Sequence, residues 1–494
     1  MTANVAWVLE ERARARRWLG RPAFATPAGS VTHAAVHDGA ARAASLLCEL
    51  GVGRGDRVLI AAADGIEFVW VFLGALRLGA LAIPVNPRLT AEDHRRLQAD
   101  ARPRVTVCDT ALRPRFAGLV VVAEELGGLV ADRAPLPPAA VPPDSPAYGQ
   151  YTSGTTGVPK AAVHRHADPL VYASAFADQA IGLGPDDVVL SVSKLYFAYG
   201  LGNSLFFPLL TGAQAVLHPG SPKPNDVARL VRRHQVSVLF AVPTFYARLV
   251  ANARADDFSS LRVAVSAGES LMPALAERAR AFLGCPVLDG LGSTEVGQTF
   301  ASNTTGCWRD GTVGRALPPY EVIVADEAGN PVAPGCEGAL LVRGPTLLLE
   351  YLDQPEATLA VRRGEWLVSG DRAVIDAEGF IHLRGRADDL EKVGGITVAP
   401  QEVERVLAAH PGVTEVAVAA VRAHDGATRL EAFVVPGSGH TPTDDLGDEL
   451  RALARADLAP FKVPRLVHFV ESLPRTPTGK LRRFVLRSGL LGDR

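Results

Sequence analysis

The sequence predicts an α/β fold: a large N-terminal domain of layered α/β subdomains, a small β-barrel-like subdomain, and a small α+β C-terminal domain. Three observations carry this. Helix-like and strand-like patterns alternate as far as Phe282, short β runs with turns take over from about Val313, and a compact mixture of helices and strands follows Gly385. Alternation of the first kind implies a mostly parallel sheet covered by helices. Short strands broken by turns imply a small barrel or distorted sheet.

In order, Ala34 to Leu50 carries Ala and Leu at helical spacing, Arg57-Val-Leu-Ile60 is a short buried strand, and Ile66 to Leu78 is helical again. Leu81-Ala-Ile-Pro-Val85 resumes a strand. The long apolar run Phe68 to Val85 is interrupted by Arg77 and Pro84, which predicts a buried helix and strand rather than a membrane span. Arg133 to Pro146 is rich in Pro and Ala and reads as a surface connection. Strands are then expected at Val188–Val192, Gln214–Leu217, Val236–Val242 and Arg262–Ser266, with helices over Phe245–Ala251 and Pro273–Phe282. The β-rich stretch offers Glu321–Val324, Gly338–Arg343, Arg372–Ile375 and Phe380–Leu383. The last unit offers helices Gln401–Ala409 and Asp445–Ala454 and strands Val413–Val421 and Ala432–Val435, which places a boundary at Arg384–Asp388 and divides the chain into 1–385 and 386–494.

With 494 residues, 48% hydrophobic and 21% charged, the chain can bury more than one core. A net charge of −2 gives no electrostatic reason to expect nucleic acid or an anionic membrane as a partner. Five cysteines (48, 108, 285, 307, 336) lack CxxC spacing and predict free thiols in a reducing cytoplasm rather than disulfides or a zinc site. The N-terminus carries acidic residues by position 10 and does not read as a signal peptide.

Tyr151-Thr-Ser-Gly-Thr-Thr-Gly-Val-Pro-Lys160 concentrates the chemistry. Thr152, Ser153, Thr155 and Thr156 supply hydroxyls, Gly154 and Gly157 let backbone N–H groups turn inward, and Lys160 closes the loop with a charge. Small residues, donors in a row and one ammonium suit a polyphosphate. A flexible linker of this composition would continue as low complexity; this one runs into Ala161-Ala-Val163. Lysine is scarce, six among 51 basic residues, so each is a candidate for a compact point charge where arginine is the default. The glycine spacing is not that of the P-loop, and Ala161 stands where that motif has its metal-binding hydroxyl. A metal must be held elsewhere, and Gly292-Ser293-Thr294-Glu295 offers a hydroxyl and a carboxylate suited to Mg²⁺. Ser369-Gly370-Asp371 reads as a turn whose Asp can bind both hydroxyls of a ribose, and Thr476-Pro-Thr-Gly-Lys480 reads as an exposed loop.

Together with Gly385–Asp389, these segments occur in an order and layout that resembles the adenylate-forming superfamily of acyl-CoA synthetases, adenylation domains and luciferases. The resemblance covers nearly the full length. It implies an enzyme using ATP, Mg²⁺ and coenzyme A, an N-terminal adenylation domain over 1–385, and a mobile lid over 386–494. It further implies that Thr152, Ser153, Gly154, Thr155, Thr156, Gly157 and Lys160 surround the phosphates, that Thr294 touches the α-phosphate, and that Glu295 binds the metal. Ser266, Ala267, Gly268, Asp289, Gly290 and Leu291 match the segments flanking adenine, with Leu291 where the family often has an aromatic. Asp371 matches the ribose-binding residue, Arg386 the arginine after the hinge glycine, Asp388 the hinge and Lys480 the catalytic lysine. Gly394 and Gly395 correspond to the loop lining a pantetheine tunnel.

The run Ser193-Lys-Leu-Tyr-Phe197-Ala198-Tyr199-Gly200 resembles the benzoate-CoA ligase branch, where the Phe-Ala-Tyr step walls the acid. Aromatic walls with glycine floors make a slot for a flat ring. Phe197, Ala198, Tyr199, Gly268, Gly290 and Gln298 are therefore expected to contact an aryl acid. Gly297 and Gln298 stand where benzoate ligases carry a bulky apolar residue and His; a wider slot and an amide that donates and accepts predict a hydroxy- or amino-substituted benzoate. The alternative is an aryl-AMP ligase that loads the phosphopantetheine of an acyl carrier protein. The expected assembly is a monomer or homodimer.

Overall fold

The computed structural model describes residues 4–152, 159–386, 391–393, 396–422, 428–437, 440–475 and 481–487. Among the described residues the strands form a nine-stranded and a six-stranded sheet, a five-stranded sheet, and, nearer the C-terminus, a three-stranded sheet beside a two-stranded hairpin. The nine-stranded sheet is parallel through its centre, where Val287–Gly292, Val263–Ala267, Val238–Ala241, Val188–Ser191 and Gln214–Val216 are successive neighbours. These strands are short runs of Val, Ala and Leu buried on both faces, the composition that a helix-covered parallel sheet requires. Thr299–Ser302 and Arg315–Ala316 continue one edge in antiparallel fashion.

The six-stranded sheet runs Val120–Val122, Val105–Cys108, Arg57–Ala61, Leu81–Pro84 and Pro146–Thr152 in parallel, then turns back through Lys160–Arg165. Helices His33–Glu49 and Ile66–Arg77 pack on each other. One apolar core joins this layer to the nine-stranded sheet, with Phe72 edge-on to Phe206 at 5.9 Å. The Phe68–Val85 run is the expected buried helix and strand, and no helix among the described residues is long and apolar enough to cross a membrane. All five cysteines are free thiols.

The β-rich stretch is an antiparallel sheet of Glu321–Ala325, Glu337–Arg343, Trp366–Ile375, Arg362–Arg363 and Ile381–Arg386. Here the structure differs from the turn expected at Ser369-Gly370-Asp371, which lies inside the ten-residue strand Trp366–Ile375. The turn-like composition survives there as a bulge: the ladder to Glu337–Arg343 passes from Val368 to Arg372 without pairing these three residues, and Gly370 takes φ +79°. Near the C-terminus, Val413–Arg422 and Thr428–Pro436 pair antiparallel, and Leu466–Phe469, a strand the sequence reading did not anticipate, adds in parallel. Helices Pro400–Leu407 and Asp444–Asp457 cover a separate apolar cluster around Val403, Leu407 and Leu450.

Candidate active site

The hairpin of Pro146–Thr152 with Lys160–Arg165 sets the site's first edge, because its register places Thr152 opposite Lys160. Ser153, Gly154, Thr155, Thr156 and Gly157 lie outside the described residues. The chain at Leu349–Leu352 runs along the outer side of Lys160–Arg165: Leu349 N–H donates to Val163, Val163 N–H to Glu350, and Leu352 N–H to Ala161, all at 2.8–2.9 Å. That pairing delivers Tyr351. The Lys160 ammonium lies 5.5 Å from the Tyr351 ring centroid, and the Tyr351 hydroxyl donates to Glu295 Oε1 at 2.8 Å. Burial first, and the Glu295 charge second, push the Tyr351 phenol well up, so it remains a donor.

Glu295 thus shares one edge with Lys160 and Thr152. One of its oxygens accepts from Tyr351, which orients the carboxylate and leaves hard oxygen lone pairs for a divalent cation. Among the described residues no cluster of three or more His, Cys, Asp or Glu side chains fits a metal, so a cation here would draw further ligands from substrate oxygens and water. That donor set fits Mg²⁺. The turn carrying Glu295 is pinned from beneath by residues the sequence reading did not single out. His164 Nε2 donates to the Thr294 carbonyl at 2.7 Å, and its Nδ1 lies 3.1 Å from Asp168 Oδ2. Both side chains are buried, and the Tyr148 ring stacks on His164 with centroids 5.2 Å apart. Gly297 closes the turn at φ +90°, and a Cβ there would lie 3.2 Å from the His164 ring. This corrects the expectation that Gly297 widens the acid slot: its missing side chain faces His164 and Tyr172, and the glycine serves a left-handed turn.

Parallel register brings together two segments far apart in sequence, setting Ser266 beside Asp289 and Ala267 beside Gly290. Leu291 continues the same strand, half-buried. Gly268 leaves the neighbouring strand's end. Burial pushes the Asp289 carboxyl well above the usual carboxylate range. Asp371 and Arg386 are cross-strand partners, with Arg386 Nη1 3.6 Å from Asp371 Oδ1, and the Asp371 N–H donates to Ser369 Oγ at 3.1 Å. The Arg386 charge also reaches Tyr351, which places this pair on the Glu295 side of the site.

Phe197, Ala198 and Tyr199 form a half-buried step at the start of the short helix Ala198–Leu201. The Tyr199 hydroxyl donates to the Val265 carbonyl at 3.3 Å, one residue before Ser266. Gln298 is buried beneath this step. Its Nε2 donates to the carbonyls of Tyr199 at 3.2 Å and Ala198 at 3.4 Å, and its Oε1 accepts from the Thr299 N–H at 2.9 Å. Donor and acceptor are both engaged by the chain, so the amide is not turned to an acid as the sequence reading expected; it supports the 197–199 step instead. Asp388, Gly394, Gly395 and Lys480 lie outside the described residues. The flanks of the last are described: Arg475 and Leu481 form an antiparallel bridge, and Arg475 donates to Glu269, next to Gly268, and to Glu415 at 3.0 Å.

This is the arrangement of an enzyme that handles a nucleotide, and comparison with known families agrees. The model of the AMP-binding enzyme family matches residues 10–352, and that of the AMP-binding enzyme C-terminal domain matches residues 402–480. The chain belongs to this adenylate-forming family. Among its relatives is the p-hydroxybenzoic acid–AMP ligase FadD22 of Mycobacterium tuberculosis, 45% identical over 98% of this chain and 68% of the relative. Among solved structures, a benzoate CoA ligase from Burkholderia xenovorans LB400 superposes with a TM-score of 0.91 at 35% identity, covering 99% of this chain and 100% of that one. The anthranilate CoA ligase AuaEII, solved with anthranoyl-AMP, superposes with a TM-score of 0.93 at 32% identity, covering 99% and 97%.

Proposed function

We propose that the protein joins an aryl carboxylic acid to ATP, forming an aryl-adenylate and pyrophosphate, and then transfers the aryl group to the thiol of coenzyme A with release of AMP. The observation that carries this reading is the linked group Lys160–Tyr351–Glu295 beside Asp371–Arg386, with the aromatic step Phe197–Tyr199 joined through Val265 to the Ser266–Gly268 segment.

Attack of a carboxylate oxygen on the α-phosphorus brings two anions together and breaks the bond to pyrophosphate, so catalysis rests on placement and on cations over the developing charge. Thr152, Ser153, Thr155, Thr156 and Lys160 hold the departing phosphates, and Thr294 contacts the α-phosphate. Glu295 holds Mg²⁺, which when bound neutralises charge on the phosphate oxygens. Ser266, Ala267, Gly268, Asp289, Gly290 and Leu291 flank adenine, and Asp371 binds the ribose hydroxyls with Arg386 alongside. Lys480 bridges the carboxylate and α-phosphate. Rotation of the 386–494 domain about Asp388 then withdraws Lys480 and brings Gly394 and Gly395 to line the path of the thiol.

ATP–pyrophosphate exchange with benzoate, 2-aminobenzoate, 3-hydroxybenzoate and 4-hydroxybenzoate tests the reading. A hydroxy or amino derivative is expected to exceed benzoate in kcat/KM; with Gly297 and Gln298 both turned to the chain, this preference rests on the p-hydroxybenzoic acid and anthranilate ligases the chain is similar to. Higher kcat/KM for benzoate overturns the substituent assignment, and exchange with none of them overturns the acid class. The alternative acceptor is a carrier-protein phosphopantetheine. Mass spectrometry of products formed with CoA and with a holo-carrier protein decides between the two thiols.

Tyr351→Phe removes the hydroxyl that orients Glu295. It is expected to weaken divalent-ion binding about 10- to 100-fold, the range for outer-shell partners of metal ligands. Mn²⁺ binding followed by electron paramagnetic resonance, with a non-hydrolysable ATP analogue present, measures this directly; unchanged binding refutes it.

A further inference from the structure

Outside the groups assigned to nucleotide and acid, the structure buries one ion pair at the foot of the acid step. Lys194 and Asp64 are 5% and 4% exposed, with Nζ 3.7 Å from Oδ2. Lys194 Nζ also donates to the His218 carbonyl at 2.6 Å, and Asp64 Oδ1 accepts the Leu195 N–H at 3.1 Å. Asp64 stands between the strand Arg57–Ala61 and the helix Ile66–Arg77, whereas Lys194 follows Val188–Ser191 and His218 follows Gln214–Val216. The pair therefore ties the six-stranded sheet to the nine-stranded one. In a chain whose ordinary cation is arginine, the buried position carries one of six lysines, a compact charge that fits where a fork does not.

The aromatic step is wound directly on this anchor. Phe197 N–H donates to the Lys194 carbonyl at 2.9 Å, and Leu201 N–H to the Phe197 carbonyl at 2.8 Å. Gly200 lies so close that a Cβ would fall 2.0 Å from the Lys194 carbonyl oxygen. Asp64 thus holds both ends of the peptide that starts the turn, through the Lys194 ammonium and the Leu195 N–H.

We propose that Asp64 and Lys194 are positioning residues for the aryl acid, fixing the Phe197–Tyr199 wall relative to the nucleotide side of the site; this rests on the reading that those residues contact the acid. Burial supports a demanding arrangement, raising the Asp64 carboxyl to about 6 and lowering the Lys194 ammonium, so the pair is held by geometry that solvent does not supply.

The test is steady-state kinetics with 4-hydroxybenzoate as probe on Asp64→Asn, Lys194→Met, the double variant and Phe197→Ala. Asp64→Asn and Lys194→Met are each expected to raise KM for the acid at least tenfold while KM for ATP stays within twofold. The double variant, which leaves no orphaned buried charge, is expected to fold and to show an acid KM no worse than the worse single variant. Equal rises in both KM values, or a lowered unfolding temperature with unchanged acid KM in the double variant, overturn the positioning role. Phe197→Ala separates the two ideas: if it leaves acid KM unchanged, the wall assignment falls, and if it alone raises acid KM, only the Asp64–Lys194 proposal falls.

Discussion

Lys480→Ala is expected to lower ATP–pyrophosphate exchange about 10²- to 10³-fold, the range for loss of one group aimed at developing charge. Thioester formation from a supplied aryl-adenylate is expected to stay near its original rate. The split follows from the two half-reactions. Only the first brings a carboxylate and an α-phosphate together, and only that encounter needs an ammonium between them. The described flanks support the placement: the Arg475–Leu481 bridge closes the segment's ends, and Arg475 is bound to Glu269 directly after Gly268. The C-terminal unit is therefore docked with that segment's base against the end of the strand Val263–Ala267. Equal loss of both half-reactions, measured with purified aryl-adenylate and CoA, would show that Lys480 serves the whole site.

Much of this site is legible in the sequence, and the rest is not, for reasons that differ residue by residue. The Thr152–Lys160 loop announces itself because phosphate needs small residues and donors in a contiguous run. The central strands are legible as runs such as Val263–Ala267, whose composition suits burial on both faces. Tyr351 is silent in sequence: it reaches Glu295, 56 residues away, only because Leu349–Leu352 pairs with Lys160–Arg165. His164 is equally silent, since a histidine among apolar strand residues looks like any core position until its carbonyl partner arrives from Thr294, 130 residues on. Gln298 shows a third kind of limit. Its capacity to donate and accept is written in the residue type, but the direction of its amide is set by packing beneath Ala198 and Tyr199. Ser369–Asp371 shows a fourth, where turn-like composition is absorbed as a bulge inside a long strand.

Arg483→Met is expected to destabilise the C-terminal unit by about 3–5 kcal/mol, the cost of leaving one member of a buried ion pair without its partner. Arg483 and Glu404 are each 7% exposed in their side chains, with Nη1 2.5 Å from Oε1 and Nη2 3.1 Å from Oε2. Nη1 also donates to the Val418 carbonyl at 2.7 Å, while Glu404 Oε1 accepts the Val418 N–H at 2.7 Å. One guanidinium thereby latches the tail helix Arg483–Arg487 to the helix Pro400–Leu407 and the strand Val413–Arg422. Methionine keeps the volume and removes the charge, so the penalty falls on an unpaired Glu404. All five tryptophans lie at or before Trp366, which makes intrinsic fluorescence a reporter of the N-terminal body. Hydrogen exchange across 400–422 reads the C-terminal unit instead, and should accelerate about 10²- to 10⁴-fold there with the N-terminal sheets unaffected. Adding Glu404→Gln should recover much of the loss, because the orphaned charge is then gone. Arg483 follows Lys480 by three positions, so the same variant should also weaken adenylation by loosening the support of that lysine. Exchange rates that stay unchanged across 400–422 would remove the latch, and with it this route from a buried ion pair to the chemistry.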